Sequence, residues 1–199
     1  IRIVSAGNSL MAMRHAPYTT CSALAELIDN SLQARAEHIG IIAVDKKART
    51  RGGQQVHRLE QLAVMDDGHG MSAEVIQQCL AVGFSRYKEE RNGIGRFGYG
   101  MSVGSISQSF RVEVYSWVKD GPINYTYIDL PELLESGSET IPPVTEVKRL
   151  PLVGRHKWDG TIKKRESGTL VVWNDLDTTR VKVATSQGII NLFFRDLAR

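Results

Sequence analysis

Residues 92–101 read Asn-Gly-Ile-Gly-Arg-Phe-Gly-Tyr-Gly-Met, with glycine at every second or third position. They belong to a wider concentration, because eight of the 18 glycines in this 199-residue chain fall between positions 68 and 104. Glycine gathered in one stretch indicates backbone brought close to another group. The residues that follow, 101–108, predict a helix. A glycine loop that opens a helix is suited to bind phosphates through backbone N–H groups.

Two known signatures overlap this loop, and both lack the context that they need. Residues 93–98 spell G-x-G-x-x-G, but the dinucleotide-binding form follows a strand, whereas residues 87–91 are mostly charged. Residues 100–104 spell G-x-S-x-G, the nucleophile elbow of hydrolases, which also lacks its strand and has only His156 after it as a base. The P-loop pattern G-x-x-x-x-G-K-[ST] is absent from the sequence.

An amphipathic helix is predicted upstream, over residues 20–36, with Thr19 or Thr20 as its cap. Its apolar stripe is Leu24, Leu27, Ile28 and Leu32, and its polar stripe is Glu26, Asp29, Asn30 and Gln33. A solvated face is the simpler interpretation of the polar stripe. However, residues 21–34 contain no lysine or arginine, and Asp and Asn are weak helix formers. A carboxylate and an amide one turn apart can instead place a water molecule beside a magnesium ion.

The segment Met-Asp-Asp-Gly-His-Gly-Met at residues 65–71 directly follows a predicted apolar strand. Asp and Gly form turns readily, so a tight turn is one interpretation. The other is a ligand site, in which the glycines let the backbone approach a flat ligand and a carboxylate accepts from an amino group. Both interpretations stay open on these residues alone.

The order of elements predicts the fold class. Strands are expected at residues 39–44, 59–65, 110–118, 123–130 and 170–173, and helices at 20–36, 73–82, 101–108 and 189–197. This pattern is typical of an α/β (α+β) two-layer sandwich, with helices on one face of a mixed, mostly antiparallel sheet. We expect a single domain over residues 1–199. Because the chain starts without methionine and stops inside a predicted helix, we interpret it as a fragment of a longer protein.

Composition excludes several classes of protein. No apolar run approaches the roughly 18 residues of a membrane helix, and the N-terminus has no signal-peptide core. Cys21 and Cys79 are too few for a disulfide framework, which predicts a reducing, intracellular location, either cytoplasmic or nuclear. The formal charge of +3 permits a polyanionic partner without arguing for one. Two basic stretches, residues 45–58 and 155–165, are either exposed loops or nucleic-acid contacts.

Four motifs in this order resemble the GHKL superfamily of ATPases, which includes the gyrase B subunit, MutL, the ninety-kilodalton heat-shock chaperone and the MORC proteins. The motifs are residues 26–34, 66–71, 95–100 and 168–169. Residues 83–85 and 168–174 are similar to MORC proteins, and the glycine loop is similar to that of the heat-shock chaperone. The resemblance covers about residues 16–175 and implies a Bergerat fold, with ATP between the helices and the sheet.

The resemblance also implies roles for single residues. Glu26 would polarise the attacking water, and Asn30 would coordinate Mg²⁺. Asp66 would accept from the adenine amino group, with Gly70 giving close approach and Thr169 supporting Asp66 through its hydroxyl and a water molecule. The remaining expected nucleotide contacts, most of them in a mobile lid over the phosphates, are Met71, Gly93, Gly95, Arg96, Phe97, Gly98, Tyr99, Gly100 and Met101.

The expected function is Mg²⁺-dependent ATP hydrolysis by one module of a molecular clamp that forms a homodimer on binding ATP. Histidine kinases share the nucleotide fold but resemble N-x-x-x-N at the first motif, so Glu26 favours hydrolysis over phosphotransfer. Many relatives contact the γ-phosphate with a lysine from a following domain, so we expect weak hydrolysis by this chain alone. The alternative is a nucleotide-gated switch with little catalysis, which engages DNA through its basic loops or binds a protein client.

Overall fold

The computed structural model describes residues 5–82, 100–155 and 166–197. The helices are α1 (Ala6–Met13), α2 (Thr20–Gln33), α3 (Ala73–Cys79), α4 (Ser105–Gln108), α5 (Leu130–Ser136), α6 (Leu152–Arg155) and α7 (Ser186–Leu197). The strands are β1 (Ile39–Arg49), β2 (Gln55–Asp66), β3 (Ser109–Trp117), β4 (Ile123–Asp129), β5 (Thr145–Val147) and β6 (Gly168–Leu176). A π-helical turn, Gly100–Gly104, runs directly into α4.

The six described strands form one sheet in the order β1-β2-β6-β3-β4-β5. Every pairing between them is antiparallel. The predicted α/β sandwich is therefore confirmed, and the sheet is wholly antiparallel over the strands described. In this order β2 and β6 lie side by side, so the ends of two strands from distant parts of the chain meet at one edge.

Side chains alternate between the two faces of the sheet, as the two-residue period of a strand requires. Leu62 and Val64 of β2 point into the main core, together with the fully buried Trp173 of β6. That core packs under α1, α2, α3, α4, α5 and α7. Met65 and Leu170 point to the opposite face, where Val153 of α6 completes a smaller apolar cluster. The prediction of helices on one face thus holds for all of the described helices except α6.

Helix α2 begins where the sequence predicts and ends three residues early. Thr19 is its N-cap, and Thr19 and Ser22 form a reciprocal capping box. The predicted apolar stripe is wrong at Leu32, because this residue is 55% exposed. The inward face of the helix instead continues from Leu27 to Ser31, four residues later, and Ser31 is buried. The Ser31 hydroxyl satisfies its hydrogen-bonding capacity there by donating to Asp66.

Other elements depart from prediction in length or were not anticipated. Strands β1 and β2 continue into the polar segment, where they pair as far as Arg49 and Gln55. Helix α3 ends at Cys79 rather than at residue 82. Helices α1, α5 and α6 and strand β5 were not predicted. Of these, α5 carries ordinary signals, namely Asp129 as N-cap, proline in the first turn and a left-handed Gly137 at its end.

Arg14 fixes the end of α1 to the end of α4. Its guanidinium is almost fully buried and donates at 2.7 Å to the carbonyl oxygens of both Ile106 and Ser109. It also pairs with Asp177 and stacks over Phe110, with Cζ 3.8 Å from the ring centroid. A cation at the C-terminal end of a helix is favourable. The N-terminal segment is therefore anchored to the helix that follows the glycine loop.

Both cysteines lie within the described residues, so the structure shows their surroundings. Cys79 packs against the main core, and burial raises the pKa of its thiol, as expected for a structural rather than a reactive cysteine. Neither Cys79 nor Cys21 forms a disulfide. Within the described ranges, no helix has both the length and the apolar character that crossing a bilayer requires.

Candidate functional site

Asp66, the last residue of β2, is a buried carboxylate held by two donors. Its side chain faces the helices; Oδ2 accepts from the Ser31 hydroxyl at 2.9 Å, and Oδ1 accepts from the Gly68 N–H at 2.8 Å. The residue is only 5% exposed, and this burial raises the pKa of its carboxyl against the lowering effect of both hydrogen bonds. A carboxylate has about four acceptor positions, so this one keeps capacity for a further donor.

The turn after Asp66 accepts glycine alone at two positions. Gly70 has φ +69°, and a Cβ there would lie 2.0 Å from the carbonyl oxygen of Trp117. A Cβ on Gly68 would lie 2.6 Å from Cβ of Ala34. Both requirements come from packing of the turn onto β3 and α2. The turn interpretation is therefore satisfied by the structure, and close approach of Gly70 to a ligand stays a prediction.

Ser116 of β3 joins this turn to β6. Its Oγ accepts from the Met71 N–H at 2.8 Å and lies 2.9 Å from both the Gly168 carbonyl oxygen and the Thr169 hydroxyl. Thr169 is the residue directly opposite Asp66 in the β2–β6 ladder. The structure thus places the predicted pair side by side, with the Thr169 hydroxyl bonded to Ser116.

Glu26 lies on α2 against the start of the π-helical turn. A Cβ on Gly100 would lie 2.0 Å from Oε2 of Glu26, so the carboxylate rests on backbone that only glycine leaves open. Burial and the charge of Asp29 raise the pKa of Glu26, while a hydrogen bond from Tyr18 lowers it. A half-buried carboxyl with a raised pKa suits a general base that works near neutral pH. Asn30 follows one helical turn later and is also half-buried.

Six of the residues predicted to contact the nucleotide lie outside the described ranges: Gly93, Gly95, Arg96, Phe97, Gly98 and Tyr99. Gly100 and Met101 are described as the first two residues of the π-helical turn, and Met101 packs against the main core. The structure therefore brings together Asp66, Gly70, Met71 and Thr169 on one side, and Glu26 and Gly100 on the other. Helix α2 links the two groups, because it carries both Glu26 and Ser31.

Two residues of the site were missed by sequence reasoning. Ser31 continues the inward face of α2 four residues after Leu27, and Ser116 occupies an inward position of β3 in alternation with Val112 and Val114. In each case the available signal was a small polar residue at a position where the periodicity requires an apolar one. Such a residue needs a buried partner, and here the partners are Asp66 and Thr169.

A second group of potential metal ligands, Glu37, His38 and Asp67, has an ordinary structural explanation. Their donor atoms lie within 4.8 Å of one another. However, Oδ1 of Asp67 accepts from the backbone N–H groups of Glu37 and His38 at 2.8 and 2.7 Å. The carboxylate therefore ties the end of β2 to the segment that leads into β1.

Comparisons with known proteins identify the family of the chain. The family described as histidine kinase-, DNA gyrase B-, and HSP90-like ATPase matches residues 18–169. Protein MICRORCHIDIA 7 of Arabidopsis thaliana is 32% identical over 94 residues, which cover 47% of this chain and 13% of that protein. MORC family CW-type zinc finger protein 1 of Homo sapiens is 36% identical over 97 residues, which cover 46% of this chain and 9% of that protein.

A third relative, Protein MICRORCHIDIA 6 of Arabidopsis thaliana, is 30% identical over 114 residues, which cover 53% of this chain and 16% of that protein. The chain thus matches less than a fifth of the length of these curated relatives. The family match covers most of the chain, so the chain belongs to this ATPase family and is a MORC-like GHKL ATPase domain. Family membership supports an ATP-binding module.

Proposed function

We propose that the chain binds ATP with Mg²⁺ and hydrolyses it slowly, as the ATPase module of a molecular clamp that dimerises when ATP is bound. One observation carries this proposal. Helix α2 presents Glu26 to the turn that follows the glycine loop, and five residues further on its Ser31 holds the buried Asp66. A catalytic carboxylate and an adenine-side acceptor are thereby fixed to the same rigid element.

Each residue has a role consistent with its surroundings. Asp66 accepts from the adenine amino group with the acceptor capacity that Ser31 and Gly68 leave unused. Glu26 accepts hydrogen bonds from, and finally a proton of, the attacking water. The carboxamide oxygen of Asn30 suits Mg²⁺, which prefers oxygen ligands and takes few from the protein. When bound, the ion neutralises charge on the transferring phosphoryl group.

Phosphate release by the purified chain tests this proposal. We expect hydrolysis in ATP and Mg²⁺ to exceed that in EDTA by at least about tenfold, because positioning and charge neutralisation supply most of the catalysis. Calorimetry with ATP on the same samples measures affinity independently of turnover. A chain that binds no adenine nucleotide would overturn the proposal.

The same measurements separate hydrolysis from a pure switch. A nucleotide-gated binding module would bind ATP in calorimetry and release phosphate only at the rate of a buffer blank. The decisive sample is the chain extended by its native downstream region, because a γ-phosphate contact from a following domain would raise turnover there. Background turnover in that extended protein would favour the switch over the ATPase.

A second candidate function, binding of DNA, is favoured by the β1–β2 hairpin. Strand β2 pairs with β6 over Leu62–Asp66, and Asp45 and Leu59 bond to residues 184–186, so the part of the hairpin that projects is the part beyond them. Lys46 stands directly opposite Arg58, and both side chains are exposed. Like charges opposite each other destabilise a hairpin. The exposed Lys46–Glu60 ion pair at 3.5 Å offsets little of this cost. The positive charges therefore do not stabilise the hairpin, and binding of a polyanion is a better explanation for them.

Neutralising the hairpin tests the DNA proposal. Replacing Lys46, Lys47, Arg49 and Arg51 with glutamine should weaken binding to a duplex and lower the slope of log K against log salt by about one for each phosphate that is no longer neutralised. The control replaces three exposed cations elsewhere, Lys119, Lys148 and Arg149, and should change the slope much less. Equal salt slopes for the two variants would remove this candidate.

A further inference from the structure

Three polar side chains form a row across three neighbouring strands, at the end of the sheet where the turn after Asp66 begins. Thr169 of β6 stands directly opposite Asp66 of β2, and Ser116 of β3 stands directly opposite Thr169. Directly opposed residues of an antiparallel pair place their side chains on the same face of the sheet. Ser116 and Thr169 therefore share the face that carries the buried Asp66, and both are buried there as well.

The contacts of the Ser116 hydroxyl use its whole hydrogen-bonding capacity. A serine hydroxyl has one proton to donate and two lone pairs with which to accept. Ser116 Oγ lies 2.8 Å from the Met71 backbone nitrogen, which only donates, and 2.9 Å from the Gly168 carbonyl oxygen, which only accepts. Its third contact, the Thr169 hydroxyl at 2.9 Å, is able to play either role. Because Ser116 is 0% exposed, these protein contacts decide where its proton lies.

We infer that Ser116 is a positioning residue that holds the Thr169 hydroxyl proton, so that Thr169 meets a ligand as an acceptor only. The Ser116 proton goes to the Gly168 carbonyl oxygen, because otherwise these two oxygens would face each other at 2.9 Å with no proton between them. Ser116 then has no proton left for Thr169, so Thr169 donates to Ser116. The inference rests on the proposed function and extends it to the choice of base.

The side chains of Asp66 and Thr169 therefore offer a ligand acceptors and no proton. The Asp66 carboxylate already accepts from Ser31 and Gly68, and its remaining capacity is for further donors. A base that contacts this pair must bring the proton itself, as the exocyclic amino group of an aminopurine does. An oxopurine places a carbonyl oxygen in the same position, and that oxygen finds no donor on either side chain. Ser116 thus contributes to the choice of base without touching it.

Calorimetric titration with ATP and with inosine triphosphate tests the inference, because inosine triphosphate carries a carbonyl oxygen in place of the amino group. We expect the wild-type chain to prefer ATP by at least about a hundredfold. The variant Ser116→Ala should lower that preference about tenfold, because the released Thr169 proton then donates to the carbonyl oxygen. A merely structural role of Ser116 would weaken binding of both nucleotides equally and leave their ratio unchanged.

The matched control is Ser109→Ala, which removes another fully buried serine hydroxyl of β3. The Ser109 hydroxyl donates to the Ser105 carbonyl oxygen at 3.2 Å, away from the row of Asp66, Thr169 and Ser116. Its loss should leave the ratio of the two affinities within about twofold of wild type. An unchanged ratio in Ser116→Ala, or an equal change in Ser109→Ala, would overturn the inference.

A double-mutant cycle shows whether Ser116 acts through Thr169. The variant Thr169→Val keeps the branched shape of the side chain and removes its hydroxyl. In that background Ser116→Ala should change the ratio of the two affinities by less than about twofold, because no hydroxyl proton is left to reorient. A tenfold change in both backgrounds would contradict the positioning role.

Neutron diffraction from crystals of the nucleotide-free wild-type chain in D₂O locates the hydroxyl deuterons without any variant, and so stays decisive if Ser116→Ala does not fold. We expect the Thr169 deuteron to point at Ser116 Oγ and the Ser116 deuteron to point at the Gly168 carbonyl oxygen. A Ser116 deuteron directed at Thr169 would refute the inference, whatever the chain binds. The expected deuterons in a chain that binds neither nucleotide would count against the proposed function and support the arrangement of the two hydroxyls.

Discussion

Replacing Glu26 with glutamine is expected to lower kcat for ATP hydrolysis by at least about a hundredfold and to leave ATP affinity within about threefold. The size of the effect follows from losing a general base, which typically contributes about 10²–10⁴ in rate. Glutamine has nearly the same shape, so the close packing of this side chain on Gly100 is retained. Phosphate release and calorimetry on the same preparation measure the two quantities.

Because binding survives and hydrolysis does not, the Glu26→Gln protein should also accumulate in the ATP-bound state. If ATP drives dimerisation, light scattering in ATP and Mg²⁺ should show a dimer that persists longer than in wild type. Glu146→Gln, which changes an exposed carboxylate on β5, serves as the control and should behave as wild type. Hydrolysis by Glu26→Gln at the wild-type rate would contradict the assignment of Glu26 as the general base.

The parts of the fold that could be predicted are those in which local pattern and tertiary packing agree. The apolar runs of β2 and β6 and the capped start of α2 are of this kind, because each residue's preference matches its final environment. Strand ends in the β1–β2 hairpin were underestimated because Lys46 and Arg58 look like loop residues, whereas the ladder is continued by backbone pairing that sequence does not display. Short helices such as α6 carry too few residues to show a period.

The sequence pattern indicates the carboxylates that we propose to act on the nucleotide, but it does not indicate the residues that hold them in place. Asp66 and Glu26 stand out as carboxylates beside apolar segments. Ser31 and Ser116 do not, because their importance depends on which buried acceptor they meet after folding. Leu32 and Ser31 are adjacent in sequence, and a rotation of about 100° on the helix decides which of them faces Asp66. Helical periodicity fixes that rotation only to within about one residue.

The substitution Asp66→Asn is expected to weaken ATP binding by at least about a hundredfold. The amide can still accept from the Gly68 N–H and donate to the Ser31 hydroxyl, so the local hydrogen bonds survive in the variant. The asparagine side chain lacks the second acceptor oxygen that the adenine amino group would use. The amino group would then be buried without an acceptor, and such an unpaired donor weakens binding strongly. Asp120→Asn, in the exposed turn before β4, is the control and should bind ATP as wild type does.

The same substitution should stabilise the nucleotide-free domain. Burial raises the pKa of Asp66 above its unfolded value, so its contribution to stability is fully present below the unfolded pKa and is lost as pH rises through the folded pKa. The asparagine side chain does not ionise and escapes that loss. The Tm of Asp66→Asn should exceed that of wild type by about 2–4 °C at neutral pH, a shift equivalent to about 1 kcal/mol, and the difference should vanish in acid. Thermal unfolding at several pH values checks this. A variant with weaker ATP binding and a lower Tm would mean that the Asp66 carboxylate stabilises the fold. A variant with weaker ATP binding and a higher Tm would show that the buried carboxylate lowers stability and is needed for binding ATP.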